Sequence, residues 1–467
     1  MRISAVLAVV VALVVLVLVV VVGQAIIRPN LPLIARAVSS LERMTPNADG
    51  DSDVTEFSYS LSRNATVSIY FETPEGVHFD FRRDEPRIAG DYAVLFSGVV
   101  GGFTLPGETI NGDVQRRLMP DGSYTWYLVA KDAESGEQSE ISGALTLEQG
   151  ATELPELIDF SVAPQVFTPN QDGIDDRVQV NVYLNKEADL SVYLIGPDGA
   201  LIYIPELAEG RQPGEPGRHL FDYDGGIDLG VEPPPDGTYT VVAVAQDLEG
   251  QRVQKTDTLT LQSGGDPQAE IVSQPNGVDV VFTTRPYDEG YFADSGTAGK
   301  AVESPDLPTD LEFSTVTLLV GDLLVFKLTV ENYGSVPIRT SGPWPGTVYQ
   351  QDQVWGAMGI YEESGSWRVG INCSTTTRDF PWRWGVGAPD VLEKQVDAVT
   401  GQTFYYLPAG ARSVVWGAVR MTDLVEARNP QQCWAGLIHE DVEVSIRNSR
   451  VGARDIELVQ PTAGQGG

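Results

Sequence analysis

A block of turn-forming residues occurs twice in this chain, TPNADGDSD at 45–53 and TPNQDGIDD at 168–176, matched position by position at an offset of 123 (168 less 45). Two further blocks repeat in the same order. LSRNATVSIYFETPEG from Leu61 answers LNKEADLSVYLIGPDG from Leu184 at the same offset, and PDGSYTWYLVAKD from Pro120 answers PDGTYTVVAVAQD from Pro235 at 115 (235 less 120). Self-similarity on this scale requires two copies of one folded unit, and the shorter last offset assigns the length difference to a loop.

The pattern inside the blocks states what that unit is. Val67, Ile69 and Phe71 alternate with Ser68 and Tyr70, as Leu190, Val192 and Leu194 alternate with Ser191 and Tyr193. A period of two marks a strand buried on one face. Asp121-Gly122 and Asp236-Gly237 make tight turns into strands rich in β-formers, Tyr124, Trp126, Leu128 and Tyr239, Val241, Ala243. Short strands with turns at regular intervals specify an antiparallel sandwich. The expected immunoglobulin-like domains are 46–149 and 155–264, joined by Gly150 to Glu153.

Beyond Ser263-Gly264-Gly265 the blocks do not return, yet alternation persists at Leu324, Phe326, Leu328 and Val330, and at Val442, Val444 and Ile446. Residues 266–310, rich in Gly, Pro, Asp and Ser, read as an extended linker or loop. A distal β-sandwich is expected over 311–460, with 461–467 a flexible tail.

At the other end, Ile3 to Val22 is an uncharged apolar run, long enough at 1.5 Å per residue to span roughly 30 Å of hydrocarbon. Residues 1–27 read as a transmembrane signal anchor and 28–45 as a juxtamembrane stalk. The competing reading is a cleaved signal peptide, with Gly23-Gln24-Ala25 as the small-x-small site. Arg2 on one side against Arg28, Arg36 and Arg43 on the other leaves orientation undecided by charge. The 65 acidic residues against 31 basic give a net charge of −34, a field that excludes nucleic acid as a partner and suits an exported body. The fold expected is all-β, an N-terminal transmembrane helix followed by tandem antiparallel Ig-like sandwiches, single-pass in the cell membrane with the body extracytoplasmic.

FTPNQDGIDDRVQVNVYLNKEADLSVYLIGPDG, followed by PDGTYTVVAVAQDLEG, resembles the immunoglobulin-like domain of the flagellar hook-capping protein family. The likeness covers 46–149 and 155–264. The family's aromatic-Asp-Gly before the last hairpin is present in altered form, as Phe221-Asp222-Tyr223-Asp224-Gly225 and as Phe96-Ser97-Gly98. The resemblance implies an exported modular fold and does not imply hook assembly. VGDLLVFKLTVENYGSVPI, from Val320, resembles the opening hairpin of bacterial adhesion-related Ig-like domains.

Three residue sets are candidates for chemistry. Asn47, Asp49, Asp51 and Asp53, with Asn170, Asp172, Asp175 and Asp176, place side-chain oxygens at the spacing of a calcium loop. No bidentate Glu closes either loop, and tight turns select the same residues. Cys373 and Cys433 are the only cysteines and are expected to form a disulfide, against the alternative of two buried thiols. Trp344, Trp367, Trp382 and Trp384 could line a protein- or glycan-binding face, or fill a sandwich core. His78, His219 and His439 fall in no catalytic spacing, so no enzyme and no cofactor beyond calcium is expected. The function expected is structural or adhesive, two modules acting as spacer beneath a distal binding surface. The alternatives are a subunit or sensor of an envelope assembly, and a glycan-binding or hydrolytic distal domain.

Overall fold

The computed structural model describes residues 10, 12–19, 31–207, 212–291, 302–307, 314–359, 363–397, 400–444 and 446–461. The first sandwich contains β1 (Ile34–Ser39), β2 (Arg43–Met44), β3 (Thr55–Leu61), β4 (Ala65–Glu72), β5 (His78–Arg87), β6 (Gly90–Phe96), β7 (Val99–Gly101), β8 (Asp113–Leu118), β9 (Gly122–Asp132) and β10 (Gln138–Leu147). One sheet runs β1-β3-β6 and the other β2-β10-β9-β4-β5. The alternation expected of Val67, Ile69 and Phe71 is observed: β4 buries every second residue against Phe57, Phe96 and Trp126.

The second sandwich repeats this order with β11 (Leu157–Ala163), β12 (Val166–Phe167), β13 (Val178–Leu184), β14 (Asp189–Ile195), β15 (Leu201–Ile204), β16 (Gly217–Tyr223), β17 (Gly237–Gln246) and β18 (Arg252–Leu261). Its sheets are β11-β13-β16 and β15-β14-β17-β18, with β12 beside β18. In both copies the first strand crosses between sheets: β1 and β11 are antiparallel to β3 and β13, whereas β2 and β12 lie parallel to the last strand.

The repeated Pro-Asp-Gly block does the same work twice. The Tyr124 hydroxyl donates to the Pro120 carbonyl at 2.6 Å, and Tyr239 to Pro235 at 2.6 Å. The Asp121 carboxylate accepts the amides of Gln149 and Gly150, as Asp236 accepts those of Ser263 and Gly264. The block therefore ties the turn before the penultimate strand to the exit of each domain.

The third sandwich keeps that topology without the motifs. Its first sheet pairs Ala269–Val272 and Val280–Arg285 with Leu323–Asn332, then Arg412–Arg420 and Val348–Gln350. The second runs Val316–Leu319, Val451–Val459, Gln431–His439, Trp367–Cys373, Ile338–Thr340, Thr403–Leu407, Glu393–Val396, and Trp382–Gly385 also pairs with Trp367–Cys373. Val316–Leu319 lies parallel to the last strand, the same crossing as in the first two domains.

Several expectations are corrected. The transmembrane helix is not supported: among the described residues no helix is long and apolar enough to cross a membrane. Residues 12–19 are helical and rise about 12 Å against roughly 30 Å of hydrocarbon. Residues 1–9, 11 and 20–30, which complete the segment read as an anchor, lie outside the described residues. The stretch read as a stalk instead supplies β1 and β2, because Leu33, Ile34 and Met44 are buried in the first core. The stretch 266–310 is not a linker, since two of its segments are strands of the third sandwich. In the same stretch, Val302 is buried against the outer face of the first sheet, with Leu323, Val325, Val348 and Ala418. The expected start near Leu311 lies outside the described residues. Val442 and Val444 are exposed and belong to no strand, because Ile446–Asn448 form a short 3-10 turn between Gln431–His439 and Val451–Val459.

If the tyrosine contacts hold their domains together, Tyr124→Phe and Tyr239→Phe should each cost about 1 kcal/mol, the worth of one hydrogen bond. Urea unfolding checks this, and unchanged midpoints in both variants would show the contacts to be incidental.

Candidate functional site

The two acidic loops fold alike and sit in different surroundings. In the first, Asp53 accepts the amides of Asn47, Ala48 and Gly50, while Asn47 and Asp49 accept those of Asp49 and Asp51. In the second, Asp176 accepts the amides of Asn170, Asp172 and Gly173, while Asn170 and Asp172 accept those of Asp172 and Ile174. Carboxylates expected to surround calcium are thus turned onto the loop's own backbone. Among the described residues no group of three or more His, Cys, Asp or Glu is placed to hold a metal ion. Asp51 and Asp175 accept no backbone amide of their loops among these bonds.

The first loop is largely exposed, and the second is a plug in the third sandwich. The Tyr406 hydroxyl donates to Asp172 Oδ2 at 2.9 Å, and His439 Nε2 meets the Gln171 carbonyl at 2.8 Å. A Cβ on Gly173 would stand 2.0 Å from the Ser364 carbonyl oxygen, and one on Gly365 2.2 Å from the Asp172 carbonyl carbon. Backbone is pressed on backbone, which only glycine permits. The contrast reaches the carboxyls. Burial works to raise Asp53, but its three amide bonds outweigh it and hold the group below the usual range. At Asp172, burial and then the neighbouring Asp176 carboxylate push the carboxyl up to about 6. Burial pushes the His439 imidazole down to about 4. His439 stacks on Trp367 with ring centroids 4.4 Å apart.

The other junction is built from backbone. Residues 97–121 connect β6 to β9, where 224–236 connect the equivalent strands of the second sandwich, and the extra length forms the β7–β8 hairpin. β8 pairs antiparallel with β18 through Val114 and Val253, so one sheet runs through two domains. Gln251 fixes the linker: its Nε2 donates to the carbonyls of Ala151 and Glu153, and its Oε1 accepts the Leu118 amide.

The third sandwich meets the second at one end and carries a cleft at the other. The joint lies where Trp367–Cys373 begins and Gln431–His439 finishes. Six residues along, about 20 Å at strand rise, Cys373 and Cys433 face one another and are joined by a disulfide. Closing 60 residues in this way contributes about 4 kcal/mol in the chain-entropy model. Beyond it, at the end away from the second sandwich, is a cleft of about 390 Å³ lined by residues 351–354, 375–378, Pro381, Trp382, Asp423 and Val425. Gln351 Oε1 accepts the amides of Thr422 and Asp423. Thr375 and Thr376 donate to Gln431 and Asn372, and Arg428 donates to the Ser374 carbonyl. The loops of this tip are wired to one another.

The tryptophans read as a candidate ligand face do not form one. Trp367, Trp382 and Trp384 are 5, 1 and 0 % exposed, and Trp344 packs against the core beside Tyr405. Trp384 fits only because Gly417 lies beneath it, where a Cβ would come within 2.3 Å of its ring nitrogen. The histidines are apart: His78 is exposed between Glu72 and Asp80, His219 is buried against Glu206, and His439 is in the joint. Sequence reasoning missed Tyr406, Gly365 and the tip residues, although the polar run STTTR at 374–378 directly follows Cys373.

No family model and no curated protein matches the chain. Among solved structures it is similar to the fibronectin(III)-like modules of Clostridium thermocellum CbhA, with 9% identity, 48% of this chain and 93% of that chain covered, and a TM-score of 0.19. A two-domain fibronectin type-III segment of chicken tenascin matches at 12% identity, covering 48% and 97%, with a TM-score of 0.15. The native conformation of E. coli alpha-2-macroglobulin matches at 10% identity over 93% of this chain and 23% of that one, with a TM-score of 0.17. At such scores, the tandem Ig-like architecture rests on the strand order itself.

Gly173→Ala should open the joint while leaving both cores intact, giving a larger radius of gyration by small-angle scattering with an unchanged far-UV spectrum. An unchanged radius would mean that the loops are not locked. The joint's pH response follows from two raised carboxyls, Asp172 and Asp176, both pushed up first by burial, and one lowered imidazole, His439. Asp172, raised on docking, favours the joint below its ordinary 3.8 and loses that contribution as pH rises through about 6. His439, lowered on docking, favours the joint above its ordinary 6.5 and loses that contribution as pH falls through about 4. The carboxyl slopes oppose the imidazole slope, so the wild-type radius should hold between pH 7 and 4.5, while Asp172→Asn, which keeps only Asp176 to oppose His439, should expand more on acidification. Superimposable pH series for the two proteins would refute this.

Proposed function

We propose that this chain is an exported, non-catalytic interaction protein, whose first two Ig-like sandwiches act as a stiff spacer presenting the tip of the third. The carrying observation is the sheet shared by two domains through β8 and β18. A flexible tether has no use for a hairpin that hydrogen-bonds across a domain boundary. The glycine-on-glycine joint extends the same locking to the third domain. The disulfide and the charge of −34 support a place outside the reducing cytoplasm. The hook-capping resemblance lies in turn and strand residues, so it bears on the fold of the modules and brings no hook assembly with it.

Replacing 97–121 by a connection as short as 224–236 should turn a rod into jointed domains. Small-angle scattering should show a single extended shape for the wild type and a broadened distance distribution for the variant. A wild type that already scatters as independent beads would dispose of the spacer.

A further inference from the structure

We infer that the cleft at the tip of the third sandwich binds a neutral saccharide. The inference rests on the presenting role proposed above and names the ligand class presented to. The cleft's polar groups divide into two sets. Gln351, Thr375 and Thr376 are committed to holding the loops together. The side chains of Asp352, Thr377, Arg378 and Asp423, and the side-chain nitrogen Nε2 of Gln353, enter no hydrogen bond or ion pair among the described residues, and all five residues line the same cleft.

Their chemistry selects the ligand. Two carboxylates only accept, the guanidinium and the amide nitrogen only donate, and the hydroxyl does both. An anionic ligand would satisfy Arg378 and be repelled by Asp352 and Asp423. A cationic one would meet the carboxylates and be repelled by Arg378. A neutral ligand carrying several hydroxyls can donate to the two acids and accept from the arginine and the glutamine without leaving a charge opposed. Val354, Pro381 and Val425 supply an apolar wall for the C–H face of a sugar ring, and the volume of about 390 Å³ lies within the range of small-ligand clefts. With Trp382 only 1% exposed, an open stacking platform is excluded, so hydrogen bonding to hydroxyls carries recognition.

The purified full chain is titrated by calorimetry with cellobiose, maltotriose and diacetylchitobiose, with a digalacturonate as the anionic arm and a tri-lysine peptide as the cationic arm. At least one neutral sugar should bind in the millimolar range or tighter, and more tightly than either charged probe. Arg378→Gln and Asp352→Asn should each weaken it at least about tenfold, a loss of about 1.4 kcal/mol. Thr377→Val, which leaves the charge balance unchanged, should weaken it by a smaller factor. All three positions are at least partly exposed on loops, and unchanged thermal unfolding confirms that the variants fold. Tighter binding of a charged probe, no heat with any neutral sugar, or titrations indifferent to the three substitutions would each overturn the inference. Because scattering reads the rod and calorimetry reads the tip, a stiff rod with an inert tip would refute this inference alone.

Discussion

Three paired backbone positions, Asp113, Val114 and Arg116 against Gln254, Val253 and Arg252, determine how the first two sandwiches can sit together. Strand pairing across a domain boundary has a fixed register and twist, so the second sandwich cannot rotate about its linker without breaking a ladder. Gln251 reinforces this by holding two linker carbonyls and the last amide of β8. The second boundary reaches the same end by another route, a loop whose backbone fits against backbone at Gly173 and Gly365. One junction is therefore directional hydrogen bonding and the other is close packing.

The two repeated sandwiches were legible because each turn block has a structural task that only its residues perform: Asp121 and Asp236 cap the exit amides, and Tyr124 and Tyr239 close the corner. The third sandwich was half legible. Its strands alternate, but its corners use other residues, so no repeated block marks its start. Its opening strands, Ala269–Val272 and Val280–Arg285, are short and were read as part of a linker. One signal was available: Leu323-Leu324-Val325-Phe326 is a continuous apolar run, as expected of a strand covered on both faces. Among the described residues, Val302 covers the second face, with Tyr287 and Tyr291 packed beside it. At the amino terminus, apolar length alone suggested a span that the described helix does not reach.

Site residues were less legible, because identity of sequence does not carry identity of surroundings. TPNADGDSD and TPNQDGIDD turn their last Asp and first Asn onto the loop backbone in the same way, yet one faces solvent and the other holds a carboxyl pushed up to about 6. Oxygens at alternate positions suit a cation and suit a turn equally well. Here the loop amides point at those oxygens. The tryptophans misled for a related reason. Large rings clustered in one domain fill a wide core when small residues make room, as Gly417 does under Trp384.

The arrangement of stiffness along the chain bears on why the tip differs from the rest. At both inner ends of the array, loops that could bind a ligand are consumed by the neighbouring domain: the 168–176 plug by Tyr406 and His439, the linker carbonyls by Gln251. The far end of the third sandwich has no such neighbour among the described residues. It keeps the same kind of loops, and they are braced to one another and stapled nearby by Cys373 and Cys433. Rigid loops whose uncommitted polar groups face one cleft suffer little loss of conformational freedom on binding. That is the physical condition for recognition by hydrogen bonds, and along this chain the tip is where it is met without a domain already in place.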